Sequence, residues 1–145
     1  MKNFNIYGLV IMVLIMIPNI IYALKIKEEK RYSNKVLETI EQIGRYGCLF
    51  LMIYNIPYTY TNFYFNSGLT LYLIINGILL FSYIIIWILL FNKNTLFKAC
   101  SLSILPSLIF IISAILLGYI PLLILSIIFS ISHITISIKN YKNSK

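Results

Sequence analysis

Residues 69–91 read LTLYLIINGILLFSYIIIWILLF, a run without a charged side chain. A helix needs about 20 apolar residues to cross a bilayer. In lipid each backbone N–H and C=O must be bonded within its own segment, so this run reads as a transmembrane helix. Four more apolar stretches follow the same reading: residues 6–24, 44–56 (with Arg45 at its start), 99–117 and 121–138. The remainder of the 145 residues is too short for a soluble domain, which starts near about 50 residues. The expected fold is therefore an all-α integral membrane bundle of five transmembrane helices, one domain over residues 1–145.

Composition points the same way. The chain is 60% hydrophobic and 11% charged, with a mean hydropathy of +0.89. Soluble domains average about 45–50% apolar and about 25% charged residues. The same apolar content excludes disorder.

The ends of the spans carry the signals. The run Ile6–Ile17 behind Lys2 has the layout of a signal peptide, but residues 18–24 read PNIIYAL and offer no small-x-small cleavage site. It reads as a retained first span. Residues 36–56 read as one helix that starts at or above the headgroups, capped by Ser33 or Asn34 and stopped before Pro57. Tyr58, Tyr60, Phe63, Tyr64 and Phe65 follow, and aromatics gather at headgroup level. Gly118–Ile120 is so short that spans four and five form an antiparallel hairpin, and Pro121 suits a first helical turn.

The net charge of +8 comes from 12 Lys+Arg against 4 Asp+Glu. Lys25, Lys27, Lys30, Arg31, Lys35, Arg45, Lys93, Lys98, Lys139, Lys142 and Lys145 fall on one side of a five-span thread, and Lys2 alone on the other. The positive-inside rule then places the C-terminus in the cytosol and the N-terminus outside. Cations at span ends also suit anionic lipid headgroups at the cytosolic face. No basic folded module supports a nucleic-acid partner.

Five polar residues are candidates for a functional cluster: Asn19, Glu41, Arg45, Asn76 and His133. Glu38, Glu41, Arg45, Cys48, Met52 and Asn55 are spaced 3, 4, 3, 4, 3, which puts them on one helix face. Glu41 and Arg45 can pair at i, i+4. Asn19 and His133 each lie five residues from a cytosolic span end, about 7 Å inside. With Glu41 and Arg45 they would form a cytosol-facing polar pocket. Ser130 and Ser137 share the face of His133 and offer it local partners. Asn76 is the strongest mid-membrane polar contact, as helix glue. Pro18 and Pro106 interrupt spans one and four and can kink them.

Small residues let membrane helices approach closely. Ser103 with Ser107, Ala114 with Gly118, and Ser126 with Ser130 stand at i, i+4 and read as helix-packing pairs. Cys48 and Cys100 form neither a disulfide framework nor a metal spacing and read as packing residues. The four carboxylates all fall between Glu28 and Glu41, His133 is the single histidine, and no phosphate loop or nucleophile elbow occurs. No cofactor or metal is expected.

The strings Ile17-Pro18-Asn19-Ile20-Ile21-Tyr22-Ala23, Glu41-Gln42-Ile43-Gly44-Arg45-Tyr46-Gly47 and Leu105-Pro106-Ser107-Leu108-Ile109-Phe110, with the ending around His133, resemble a family of small uncharacterised polytopic membrane proteins of low-GC bacteria. The abundance of Ile, Asn, Lys and Tyr, whose codons are AT-rich, fits that origin. The resemblance spans nearly the whole chain, carries no activity, and implies a complete five-span unit in a bacterial cytoplasmic membrane. The functional expectation is a non-enzymatic membrane protein acting through helix contacts with itself or a membrane partner. The alternatives are a small oligomeric transporter or channel using the polar face of span two and, last, an intramembrane lipid-modifying enzyme.

Overall fold

A computed structural model describes residues 4–25, 33–61, 63 and 66–143. Lys2, the charged segment 26–32, Tyr64, Phe65 and Lys145 lie outside the described residues. Five helices make up the architecture: α1 (Ile6–Lys25), α2 (Lys35–Ile53), α3 (Gly68–Leu89), α4 (Leu96–Leu117) and α5 (Ile120–Asn143). Among the described residues there is no strand beyond one isolated bridge, Phe4 to Tyr54.

Local chemistry sets the ends. Asn34 caps α2, its side chain accepting from Leu37 N at 3.2 Å, and Thr95 caps α4 by accepting from Lys98 N at 3.1 Å. Each satisfies an N–H that the first turn leaves open. Gly118 closes α4 in the left-handed region at φ 57. That conformation lets Tyr119 N reach Ala114 O at 2.8 Å and Gly118 N reach Ile115 O at 3.1 Å, the paired bonds of a Schellman end.

The helices close into a ring in the order α1, α2, α5, α4, α3, with α1 touching both α2 and α3. One end of the ring carries the Tyr58 loop and the α4–α5 turn; the other carries Lys25, Lys98 and the end of α5. The interior is filled by Met12, Cys48, Met52, Ile109, Leu122 and Phe129, among others. Glycine sets the tightest approaches. A Cβ on Gly44 would stand 2.9 Å from Phe129 Cβ and 3.0 Å from its Cα, and a Cβ on Gly8 would overlap the Met52 carbonyl.

Three helices are long and apolar enough to cross a membrane: α3, α4 and α5. Only 28%, 44% and 22% of their most apolar windows are buried within the protein. Their outward faces, with Ile78, Phe81, Ile88 and Ile131 exposed, form an apolar perimeter of the kind lipid covers. Ile6–Tyr22 of α1 is a shorter apolar stretch.

The second span departs from the sequence expectation. Its helix ends at Ile53, short of Ile56. Tyr54 turns extended (φ −111, ψ 118), and Asn5 N bonds Ile53 O at 2.7 Å. Tyr119 serves the unwound backbone: its hydroxyl donates to Tyr54 O at 3.2 Å and accepts from Ile56 N at 3.0 Å. With those groups bonded, the chain need not stay helical up to Pro57. The charge-free part of α2, from Tyr46 to Ile53, then rises only about 12 Å, well under half of the ~30 Å hydrocarbon core. At the other margins, α4 starts at Leu96, ahead of Ala99, because Thr95 caps it; α5 runs past Ile138 to Asn143, where Lys142 in the last turn suits the helix dipole.

Candidate functional site

α2 brings its polar face inward. Glu41, Gly44, Cys48 and Met52 are all buried, and Asn55, beyond the helix, is 2% exposed. Of the residues that the 3–4 spacing groups, Glu41, Cys48 and Met52 are buried, while Glu38 and Arg45 are half-buried. Gly44 and Gly47 seat it on α5, where Gly47 lies against Leu125.

At the end where α2 begins, Glu41 Oε1 meets two side chains. Arg45 bonds it from the next turn. His133 Nδ1 approaches the same oxygen at 3.0 Å from α5. The imidazole also stacks on Phe129, with ring centroids 4.7 Å apart and planes at 18°. Histidine therefore bonds across helices, in place of the local serine partners its own face offers. Ser130 spends its hydroxyl on Ser126 O at 2.5 Å. Burial pushes the Glu41 pKa up, but the His133 bond and the Arg45 charge outweigh it, so the carboxyl sits below the ordinary glutamate value. Glu41 lies before the apolar part of α2, and its carboxylate joins the two helices.

Asn19 belongs to a different set. Its amide donates to Ile15 O at 3.2 Å and accepts from Tyr83 OH at 2.9 Å. Trp87 Nε1 donates to the same hydroxyl at 3.1 Å. Of the four residues expected to converge, Glu41, Arg45 and His133 meet at one carboxylate oxygen, while Asn19 is bonded toward α3. Asn76 is fully buried and acts as glue: it donates to Tyr72 O at 3.0 Å and accepts from Ser113 Oγ of α4 at 3.3 Å.

A second polar seam runs along α3 and was missed. Tyr72, Asn76, Leu80, Tyr83 and Trp87 are its buried residues, spaced 4, 4, 3, 4. The spacing was visible, but aromatics in an aliphatic helix read as core. Lys98 is expected among the cations at span ends. It is instead buried, with Nζ donating to Phe91 O at 2.9 Å and lying 4.8 Å from the Tyr22 ring and 5.6 Å from the Trp87 ring.

The small-residue pairs lie on α4 and α5. Ser103, Ser107, Ala114, Ser126 and Ser130 are buried. Their hydroxyls bond carbonyls of their own helices, as Ser107 does to Ser103 O at 2.8 Å and Ser126 to Leu123 O at 2.8 Å. Gly118 serves as the α4 cap. At the Tyr58 end an open cleft of about 370 Å³ lies between Tyr58–Thr61 and Gly118, Ile120 and Pro121. Among the described residues no group of three His, Cys, Asp or Glu could hold a metal ion. No protein family, curated protein or solved structure matches the chain.

Proposed function

We propose that the protein is a five-span, non-enzymatic component of a bacterial cytoplasmic membrane that works through helix contacts with itself or a membrane partner. Three spans are α3, α4 and α5; α1 and the second half of α2 with Tyr54–Ile56 complete the five. The polar half of α2 is tolerable in such a bundle because its buried carboxylate, Glu41, meets Arg45 and His133. The lysine distribution supports an outside N-terminus and a cytosolic C-terminus, with Lys25, Lys93, Lys139 and Lys142 at anionic headgroups.

One observation carries the helix-contact reading. α2 is the helix least suited to face lipid, yet Val36, Ile40, Ile43 and Phe50 stand exposed along it. These residues share one face at i, i+4, i+7 spacing, beside the face docked on α5. A stripe of that kind fits a neighbouring helix. Native mass spectrometry of the protein gently extracted from its host membranes tests this. A second polypeptide in fixed ratio, or a fixed homo-oligomer lost on Ile43→Lys, supports it. A monomer that by itself moves a solute across liposomes overturns it.

A small transporter or channel is the second reading, favoured by the α3 seam together with the Glu41–His133 pair. Polar groups then recur from Tyr72 to Trp87, about 22 Å along the helix axis, broken at Leu80. Solute flux in liposomes that is lost on His133→Ala, with folding intact, supports that reading.

A further inference from the structure

We propose that the cleft between the Tyr58 loop and the α4–α5 turn is a binding site for a neutral sugar ring. The cleft measures about 370 Å³, with residues 58–61 on one side and Gly118, Ile120 and Pro121 on the other. Small-molecule sites are concave spaces of about 300–1,000 Å³, mostly apolar, with a few placed polar groups. α4 has 22 residues and is about 33 Å long, close to the ~30 Å hydrocarbon core. The turn at its end therefore stands at the bilayer surface, within reach of headgroups and of dissolved solutes. The proposal needs α4 and α5 to cross the membrane and does not depend on a protein partner.

Both walls are anchored. Gly118 holds the α4–α5 wall through the two bonds that close α4. Tyr119 is 1% exposed, with its hydroxyl held between Tyr54 O and Ile56 N. The Tyr60 ring packs edge-on against Tyr119, centroids 6.0 Å apart, which ties one wall to the other. Thr59 fixes the loop by donating to Ile56 O from its N at 3.3 Å and from its Oγ1 at 2.8 Å. The Thr59 hydroxyl oxygen keeps lone pairs that can accept a bond.

Tyr58 points to a ligand. Among the described residues it is the one non-glycine residue at positive φ, 66°, a conformation that is costly for a residue with a Cβ. Its ring is fully exposed, so no packing offsets that cost. Strain of this kind gathers at ligand clamps. A place in an aromatic belt at headgroup level accounts for the ring but not for the backbone.

The lining defines the guest. Tyrosine rings, Ile120 and Pro121 offer apolar surface, and Thr59 and Thr61 set hydroxyls among them. Among the described residues the charged side chains stand at Lys25, on α2 up to Arg45, at Lys93 and Lys98, and at Lys139 and Lys142, toward the other end of the bundle. An ionic guest would find no counter-charge, and a hydrocarbon would cover the hydroxyls without bonding them. A sugar ring meets both demands. Its C–H face lies on an aromatic ring, whose face is electron-rich, and its hydroxyls bond the threonine oxygens. A glycolipid headgroup and a dissolved saccharide share this chemistry.

The test uses protein extracted in a detergent without a sugar headgroup and placed in phosphatidylglycerol nanodiscs. Saturation-transfer NMR with maltose reads the dissolved source. Native mass spectrometry of nanodiscs holding equal monoglucosyl-diacylglycerol and diacylglycerol reads the lipid source. Maltose saturation, or retention of the glucolipid over diacylglycerol, is expected with the wild-type protein, and the signal seen names the source. Tyr58→Gly relieves the backbone and removes the ring, so it should melt no lower than the wild type while binding at least about threefold more weakly. Neither signal in the wild-type protein, or a signal that Tyr58→Gly leaves unchanged, overturns the proposal.

Discussion

His133 Nδ1 lies 3.0 Å from Glu41 Oε1, and this contact ties α5 to α2 through an oxygen that Arg45 also uses. Because both partners lower the Glu41 pKa below its ordinary 4.5, the carboxylate form is the one the fold stabilises. That stabilisation is fully present above the ordinary glutamate range and is lost as pH falls through the lower folded value. Thermal unfolding in detergent is expected to show a steady midpoint between about pH 7 and pH 5 and a falling one below about pH 4.5. Glu41→Gln should cost about 1–3 kcal/mol at neutral pH, as loss of charge-assisted hydrogen bonds does, and should shrink the acid limb. An unchanged limb in the variant would show that another group titrates there.

The Gly44–Phe129 approach predicts a sharp size limit. A methyl at Gly44 meets Phe129 Cβ, Cα and N at 2.9, 3.0 and 3.0 Å, and backbone atoms cannot swing aside. Gly44→Ala is expected to destabilise by about 1–3 kcal/mol through overpacking. Gly77→Ala is the control, since nothing lies within 4 Å of a Cβ there. It should be neutral or gain up to about 1 kcal/mol from helix propensity. Paired thermal melts read both.

The Trp87–Tyr83–Asn19 chain offers an optical test, because Trp87 is the single tryptophan. Tyr83→Phe removes the acceptor of the indole N–H and the donor to Asn19. Trp87 is 5% exposed, so its N–H loses a partner without gaining bulk water. The emission maximum should move to the blue, with a stability loss of about 1–2 kcal/mol. An unmoved maximum would mean the indole N–H is bonded elsewhere.

Cys48 and Cys100 should differ in reactivity. Cys48 is 0% exposed between α2 and the core, while Cys100 is half-buried near the start of α4. A small membrane-permeant maleimide is expected to label Cys100 alone in the folded protein and both after denaturation. Labelling of Cys48 in the folded state would require α2 to leave α5.

Much of the architecture was legible because hydropathy alone marks the runs of α3, α4 and α5. The inward face of α2 was legible because Glu41, Cys48 and Met52 keep helical spacing. The pairing of Glu41 with Arg45 followed from i, i+4 geometry. What stayed hidden depends on contacts between helices far apart in sequence. Spacing within α5 shows His133 beside Ser130 and Ser137, and only the α2–α5 approach at Gly44 brings Glu41 to it. The early end of α2 depends on Asn5 and Tyr119, one from each side of the chain, bonding Ile53, Tyr54 and Ile56. Lys98 looked like a loop cation because Tyr22, Trp87 and Phe91 surround it only after α1, α3 and α4 meet.

The bonds made by α1 also bear on the timing of synthesis. Asn5 is seated on Ile53, Phe4 on Tyr54, and Asn19 on Tyr83. A ribosome releases the first of each pair long before the second. α1 therefore waits in the nascent chain without its final neighbours, first for the end of α2 and then for the far half of α3. A stalled or truncated product ending before residue 83 would hold α1 at one end only, leaving it open to capture by other nascent helices or by membrane quality control.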